Sequence, residues 1–186
     1  SAHTRRARPA PRAPQCFCES SMGNLVKDSD FALDLGKFSG TQEGVDDVLI
    51  ECRAGRSPPL PPAEFAARLE TKSFTSKKAD LAIVTGIYER AFEQRVGAAE
   101  ELRYQGLGWG DEEAAVVSRA LGAAAACRSL DLYGNAIGDA GAAALAAALR
   151  EGAAPKLVLI DLVGNPASAA AVQALRDARE GLRVDK

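Results

Sequence analysis

Histidine occurs once in the 186 residues, at His3, and methionine and tryptophan also occur once each. A serine–histidine or cysteine–histidine dyad would have to borrow that one imidazole from the extreme amino end, so nucleophilic catalysis of that type is close to excluded. The four cysteines, Cys16, Cys18, Cys52 and Cys127, are too scattered for a disulfide scaffold. They suit free thiols in a reducing compartment, with a single bridge in an oxidising one as the alternative. One Cys-x-Cys pair with a distant third cysteine also falls short of a tetrahedral zinc set, so neither a metal nor a cofactor is expected. No apolar run approaches the roughly 20 residues of a membrane span. The most apolar stretch, Ala140–Leu149, is alanine-rich and patterned as a helix. Aromatic residues make up only 5% of the chain, so much of its 47% hydrophobic content is small, and large core fillers are few.

Acids are missing from the first 12 residues, which hold Arg5, Arg6, Arg8 and Arg12. With its prolines, the stretch 1–14 reads as a basic tail resembling the remnant of an organelle-targeting segment, with an ordinary disordered tail as the alternative. Arg5-Arg6 is not a twin-arginine export signal, because no apolar segment follows it. With four of the 23 basic residues in that tail, the rest of the chain sets 19 bases against 25 acids. An acidic body argues against a broad nucleic-acid footprint. Phosphate-binding motifs are also lacking. Gly134-Asn-Ala-Ile-Gly138 has no Gly-Lys-Ser/Thr ending. Met22–Lys27 echoes an acylation signal, but it is internal and has Lys27 where Ser or Thr is required.

Four regions follow from pattern. Residues 1–14 are the tail, and 15–60 an irregular arm. Within the arm, Phe31, Leu33 and Leu35 alternate as a short extended segment, and Val45–Arg53 could form a short helix. Ser57-Pro58-Pro59-Leu60-Pro61-Pro62 breaks any helix and reads as a stiff connector, with an aromatic-groove ligand as the alternative. Residues 61–97 form a helical cap. Ala63–Leu69 is a short helix opened by proline, and Ser76–Val96 is a longer one with Leu81, Val84, Tyr88, Ala91 and Phe92 on one stripe and Ile87 beside it. Thr75 or Ser76 can begin that helix and Gly97 can end it.

Residues 98–186 carry an internal repeat. Leu130-Asp-Leu132-Tyr-Gly-Asn135 recurs 30 residues on as Ile160-Asp-Leu162-Val-Gly-Asn165. Ile137 and Leu145 follow the first copy, and Leu175 matches Leu145. A weaker copy lies 28 residues earlier, with Leu102 and Tyr104 as the inward strand pair, Trp109 at the Ile137 position, Asp111 at Asp139, Val117 at Leu145 and Leu121 at Leu149. It has Leu107 where the others have asparagine. Leucines at alternate positions point to one face of a strand. Where the chain then turns away, a buried asparagine can both donate to and accept from stranded backbone groups. Leu107 cannot, so a looser turn at Gly106 and Gly108 is expected there.

This pattern resembles the ribonuclease-inhibitor-like leucine-rich repeats, from about Leu102 to Leu175. The resemblance implies an α/β fold: a short solenoid of strand–helix units, closed by the helical cap at one end and by Ala169–Ala178 with Leu182-Arg-Val184 at the other, and led by an extended, loosely structured arm. It also implies a non-catalytic protein-binding module that uses its strand face. The outward positions are Glu101, Arg103 and Gln105, then Ser129, Asp131 and Tyr133, then Leu159, Asp161 and Val163. Asp131 and Asp161 should stack beside Arg103 and select a basic or polar partner. The alternative is a solvated face with no partner. The expected role is an accessory subunit of a larger complex, organellar and by style plastid or photosynthetic, or else cytoplasmic. It could sit peripherally on a membrane complex. Two further readings are a small enzyme in 15–97, which would need Cys52 joined to Asp46 or Asp47, and the repeat end of a sensor protein.

Overall fold

The computed structural model describes residues 14–26, 41, 55–71 and 79–186. Among these residues three helices come first: α1 (Pro14–Val26), α2 (Pro62–Glu70) and α3 (Ala79–Phe92), the last running into a π-helical turn, Glu93–Gly97. Strands and helices then alternate as β1 (Glu101–Arg103), α4 (Asp111–Ala120), β2 (Ser129–Asp131), α5 (Asp139–Arg150), β3 (Leu159–Asp161), α6 (Ala169–Arg176) and β4 (Arg183–Asp185). The four strands form one parallel sheet in sequence order. Parallel neighbours require crossovers, and α4, α5 and α6 supply them, packed side by side. Leu102, Leu130, Ile160 and Val184 stand in register across the sheet and point into the core. Val117, Leu145, Leu149, Val172 and Leu175 meet them from the helices. Each fully buried leucine or valine contributes roughly 1.5–3 kcal/mol of apolar burial.

This architecture corrects the expected one. The molecule is a mixed α/β fold on a small four-stranded parallel sheet with six α-helices among the described residues, and not a solenoid with a loosely structured arm. In a solenoid each unit packs only on its neighbours. Here Leu25, Leu60, Phe65 and Tyr88 share one continuous core with the sheet through to Val184. The 28- and 30-residue spacing reports a recurring crossover, which makes neighbouring strands parallel but says nothing of how many there are. The first helix, α1, begins at the last residue of the expected tail and runs into the expected arm. Its Phe17 packs on the core and stacks on Phe65 at 5.4 Å between ring centroids. The extended segment expected at Phe31–Leu35, the helix at Val45–Arg53 and the helix start at Thr75 or Ser76 lie outside the described residues.

The proline-rich segment is not an exposed linker. Pro58, Pro59 and Leu60 are buried. The Arg56 carbonyl accepts the Trp109 indole N–H at 2.6 Å, and the Leu60 carbonyl accepts the Tyr88 hydroxyl at 2.9 Å. Proline gives up a backbone donor, so a buried stretch of it leaves mainly carbonyls to satisfy, and these two side chains serve two of them. The long helix ends differently from the single α-helix expected to Val96. Ala98 N–H reaches back five residues to the Glu93 carbonyl at 3.2 Å, and this wider turn leaves both Phe92 and Val96 buried. Ile87 stays largely exposed beside the stripe.

Two sets of side chains lock the turns after the strands. Asn135 Oδ1 accepts the N–H groups of Leu107 and Trp109, both at 3.0 Å, while its Nδ2 donates to the carbonyls of Tyr104 (2.7 Å) and Leu132 (2.9 Å). Asn165 repeats the arrangement one unit on, accepting from Ile137 N–H (3.0 Å) and donating to Leu132 (2.8 Å) and Leu162 (3.1 Å). Each asparagine therefore serves its own turn and the turn before it. An asparagine at 107 would reach toward a unit ahead of β1, where α3 and its π-turn lie instead. That accounts for the leucine, and Gly106 and Gly108 complete the turn with φ of 63° and 67°. Aspartates work in the other direction. Asp111 Oδ1 accepts Gly138 N–H (2.7 Å) and Gly141 N–H (2.8 Å) at the start of α5, and Asp139 accepts Ser168 N–H (2.6 Å) at the start of α6. A carboxylate there satisfies helix-start donors and opposes the helix dipole.

Candidate protein-binding face

The outward side of the sheet is built from register. One row runs Glu101, Ser129, Leu159, Arg183, and the next runs Arg103, Asp131, Asp161, Asp185. The structure thus places Asp131 beside Arg103 and Asp161 beside Asp131. It also adds a fourth strand to the face, whose Arg183 and Asp185 the sequence reading missed. The only hint was the alternation of Leu182 and Val184 around Arg183. Arg103 donates to Glu101 and Arg183 to Asp185, each at 2.7 Å. Exposed pairs of this kind are screened by solvent and add little to stability. One oxygen of each central aspartate is engaged: Asp131 accepts Tyr133 N–H at 3.0 Å and Asp161 accepts Val163 N–H at 2.9 Å. These carboxylates shape the turn that presents the next residue, a local use of Asp common in turns.

The residues presented are Tyr133 and Val163, 52% and 37% exposed. Their backbones are fixed, because the Tyr133 carbonyl accepts Gly106 N–H and the Val163 carbonyl accepts Gly134 N–H, both at 2.8 Å. Val158, just before β3, adds another exposed aliphatic side chain. Gln105, Ser129, Leu159, Asp131 and Asp161 are half-buried. The structural set of the repeat lies behind this face. Leu130, Leu132, Ile137, Leu145, Ile160, Leu162 and Leu175 are fully buried, and Asn135 and Asn165 nearly so.

No family model matches the sequence, and no curated protein matches it either. Chemistry and geometry therefore carry the functional reading.

Two concavities open along the proline segment. One, of about 340 Å³, is lined by Arg56, Arg95 and Arg103 with Glu101, Leu102 and Tyr104 among its walls. The Arg56 guanidinium lies 5.3 Å from the centre of the Tyr104 ring, a cation–π contact. Tyr104 in turn packs on Trp109, with centroids 4.8 Å apart. Sequence reasoning missed Arg56 and Arg95, since nothing local links residues so far apart in the chain. The other concavity, of about 510 Å³, lies among α1, the proline segment and α4, with Ser20, Ser57, Arg68 and Glu112 on its walls. Glu113, also at its edge, accepts Gly110 N–H at 2.9 Å and so closes the start of α4. The Tyr88 hydroxyl in this wall is buried and bonded to Leu60. Burial holds its proton well above the ordinary phenol range.

Among the described residues no group of three or more His, Cys, Asp or Glu side chains could hold a metal ion, and no helix is long and apolar enough to cross a membrane. The Cys127 thiol is buried, and burial pushes its pKa up to about 11. It donates to the Ser129 carbonyl at 3.3 Å and packs as a small core group. Cys52, Asp46 and Asp47, on which an enzymatic reading would depend, lie outside the described residues.

Proposed function

We propose that this chain is a non-catalytic protein-binding module that docks on a larger protein assembly through the outward face of its sheet. The observation that carries this reading is the exposure of Tyr133 and Val163 on neighbouring turns whose backbones are hydrogen-bonded in place. A rigidly presented tyrosine beside an aliphatic group supplies contact area at small ordering cost, and tyrosine is enriched among residues that dominate interface energies. The strand–turn–helix unit adds support, because its Leu-x-Leu and asparagine pattern is similar to that of leucine-rich repeats, which bind partners through their strand faces.

The test is capture of partners from the native source under mild conditions, by the wild-type chain and by a Tyr133→Ala/Val163→Ala variant. A stoichiometric partner lost with the variant supports the reading and names the assembly. Recovery of the wild type as a free monomer, or equal capture by both proteins, overturns it.

A further inference from the structure

We propose that the cavity among α1, the proline segment, α2 and α4 binds a free amino acid with a large apolar side chain, its carboxylate on Arg68 and its ammonium group on Glu112. The cavity holds about 510 Å³, within the range of sites that take small molecules. No residue of the outward sheet face lines it, so it is separate from the docking surface. The observation that points to a ligand is Ser21. Phe17, Ser21 and Leu25 follow one another at four-residue spacing on the side of α1 that meets the core. The middle position carries a hydroxyl where its neighbours carry apolar groups. Ser21 is only 8% exposed, and it lines the cavity. Its hydroxyl has no hydrogen-bond partner among the described residues. A buried hydroxyl costs free energy unless a partner meets it, and the cavity is where one can enter.

The charged groups on the walls select the occupant. Arg68 lies in the last turn of α2 and Glu112 in the first turn of α4. Both line the cavity, and among the described residues they form no ion pair or hydrogen bond with each other. Glu64, one turn before Arg68 on α2, is bonded instead to Arg119 of α4. Opposite charges that share a cavity without neutralising each other suit a ligand that carries both. A lone anion or a lone cation would meet one repelling group. The guanidinium fork matches a carboxylate, and an ammonium group has three donors to place. Glu112 takes one, the carboxylate oxygen of Glu113 not used by Gly110 N–H takes another, and the Ser21 hydroxyl accepts the third. Phe17, Leu60 and Val116 supply apolar wall for the side chain. Part of that wall is held before any ligand arrives, because proline fixes its own φ and the Leu60 carbonyl is bonded to Tyr88.

The probes are L-phenylalanine and L-leucine, each titrated into the full chain by calorimetry. At least one should bind. Analogues with a single charge should bind about tenfold or more weakly: 3-phenylpropanoate and 2-phenylethylamine for phenylalanine, 4-methylpentanoate and 3-methylbutylamine for leucine. Arg68→Gln and Glu112→Gln should each weaken amino-acid binding by a similar factor. Both residues are exposed, so both variants should keep the wild-type melting midpoint without ligand. Ser21→Ala should weaken binding by about threefold or more. Its ligand-free midpoint should stay level or rise, because no bond within the chain is lost. Binding of neither amino acid, equal binding by a single-charge analogue, or equal binding by either glutamine variant overturns the proposal. A fall in the ligand-free midpoint of Ser21→Ala also overturns it, since the hydroxyl would then already have its partner in the fold.

Discussion

The two halves of the molecule hold themselves together differently. In the helical half, rings do the work: Phe17 lies on Phe65, Phe65 stacks on Tyr88 with centroids 3.8 Å apart and planes within 6°, and Tyr88 leans on Phe92. In the sheet half, aromatic residues are few, and directional hydrogen bonds between backbone groups and the side chains of Asn135, Asn165, Asp111 and Asp139, the aspartates accepting, tie each crossover to the next. Ring packing tolerates many sequences, because dispersion and burial have no fixed direction. A side chain that must reach particular N–H and C=O groups is restricted to one residue type at one place. The second half therefore carries a legible pattern and the first does not.

Substitutions can break this contrast. The largest effect is expected at Phe65, fully buried between two rings. Phe65→Ala should cost about 3–5 kcal/mol in chemical denaturation, and loss of α1 and α2 packing should show in near-ultraviolet dichroism while the sheet half keeps its protected amides. Next comes Asn135→Leu, which keeps volume but leaves Leu107 N–H, Trp109 N–H and the Tyr104 carbonyl without their partner, while Asn165 still serves the Leu132 carbonyl. It should cost about 2–4 kcal/mol, with amide exchange accelerated at 107 and 109 and not at Phe65. Leu107→Asn sharpens the comparison from the other side. It should destabilise by about 1 kcal/mol, the value of the lost apolar contact. A stabilised variant would refute the view that this turn needs no asparagine of its own. Gly141→Ala should cost about 1–3 kcal/mol by overpacking, because a Cβ there would lie 2.7 Å from Asp111 Oδ1 and 2.8 Å from Ile137 Cγ2.

The smallest effect is a pH dependence. Hydrogen bonds from the Ser168 N–H and then the Ser168 hydroxyl hold the Asp139 carboxyl below its ordinary value of 3.8. A carboxyl whose pKa falls on folding stabilises the fold above its unfolded pKa, and that contribution is lost as pH falls through the folded value. Asp139→Asn should therefore differ from wild type in melting temperature by a constant amount at neutral pH, and the gap should close below about pH 3.8. A gap unchanged in acid would remove the carboxylate from the account of α6.

Much of the sheet half could be read from spacing. Leu130 and Ile160 gave the inward row, Asn135 and Asn165 the turns, and the Asp111–Asp139 match located the helix starts, though not that each aspartate reaches forward to the following helix. Strand count could not be read, because β4 follows a short helix and shows only Leu182 and Val184. The solenoid expectation failed for a related reason, as periodicity describes a unit and not its surroundings. In the helical half, α1 mixes Ser20, Ser21 and Gly23 with Phe17 and Leu25, so no apolar stripe announces it. Such a helix owes its formation to packing rather than propensity. The arginines of the β1 concavity were invisible for want of any local link, and burial of Pro58 and Pro59 runs against what a proline run suggests by composition alone.

The bond from Trp109 to the Arg56 carbonyl spans 53 residues and has a consequence for biosynthesis. A chain emerges from the ribosome amino end first, at about 5–20 residues per second. Phe65 and Tyr88, 23 positions apart, can find each other early. Once made, the proline segment must wait about 3–10 s for its indole. In that interval the helical half is a nascent body with an open side, the state in which a chaperone would meet it. The single tryptophan then reports, by its own emission, the moment that side closes.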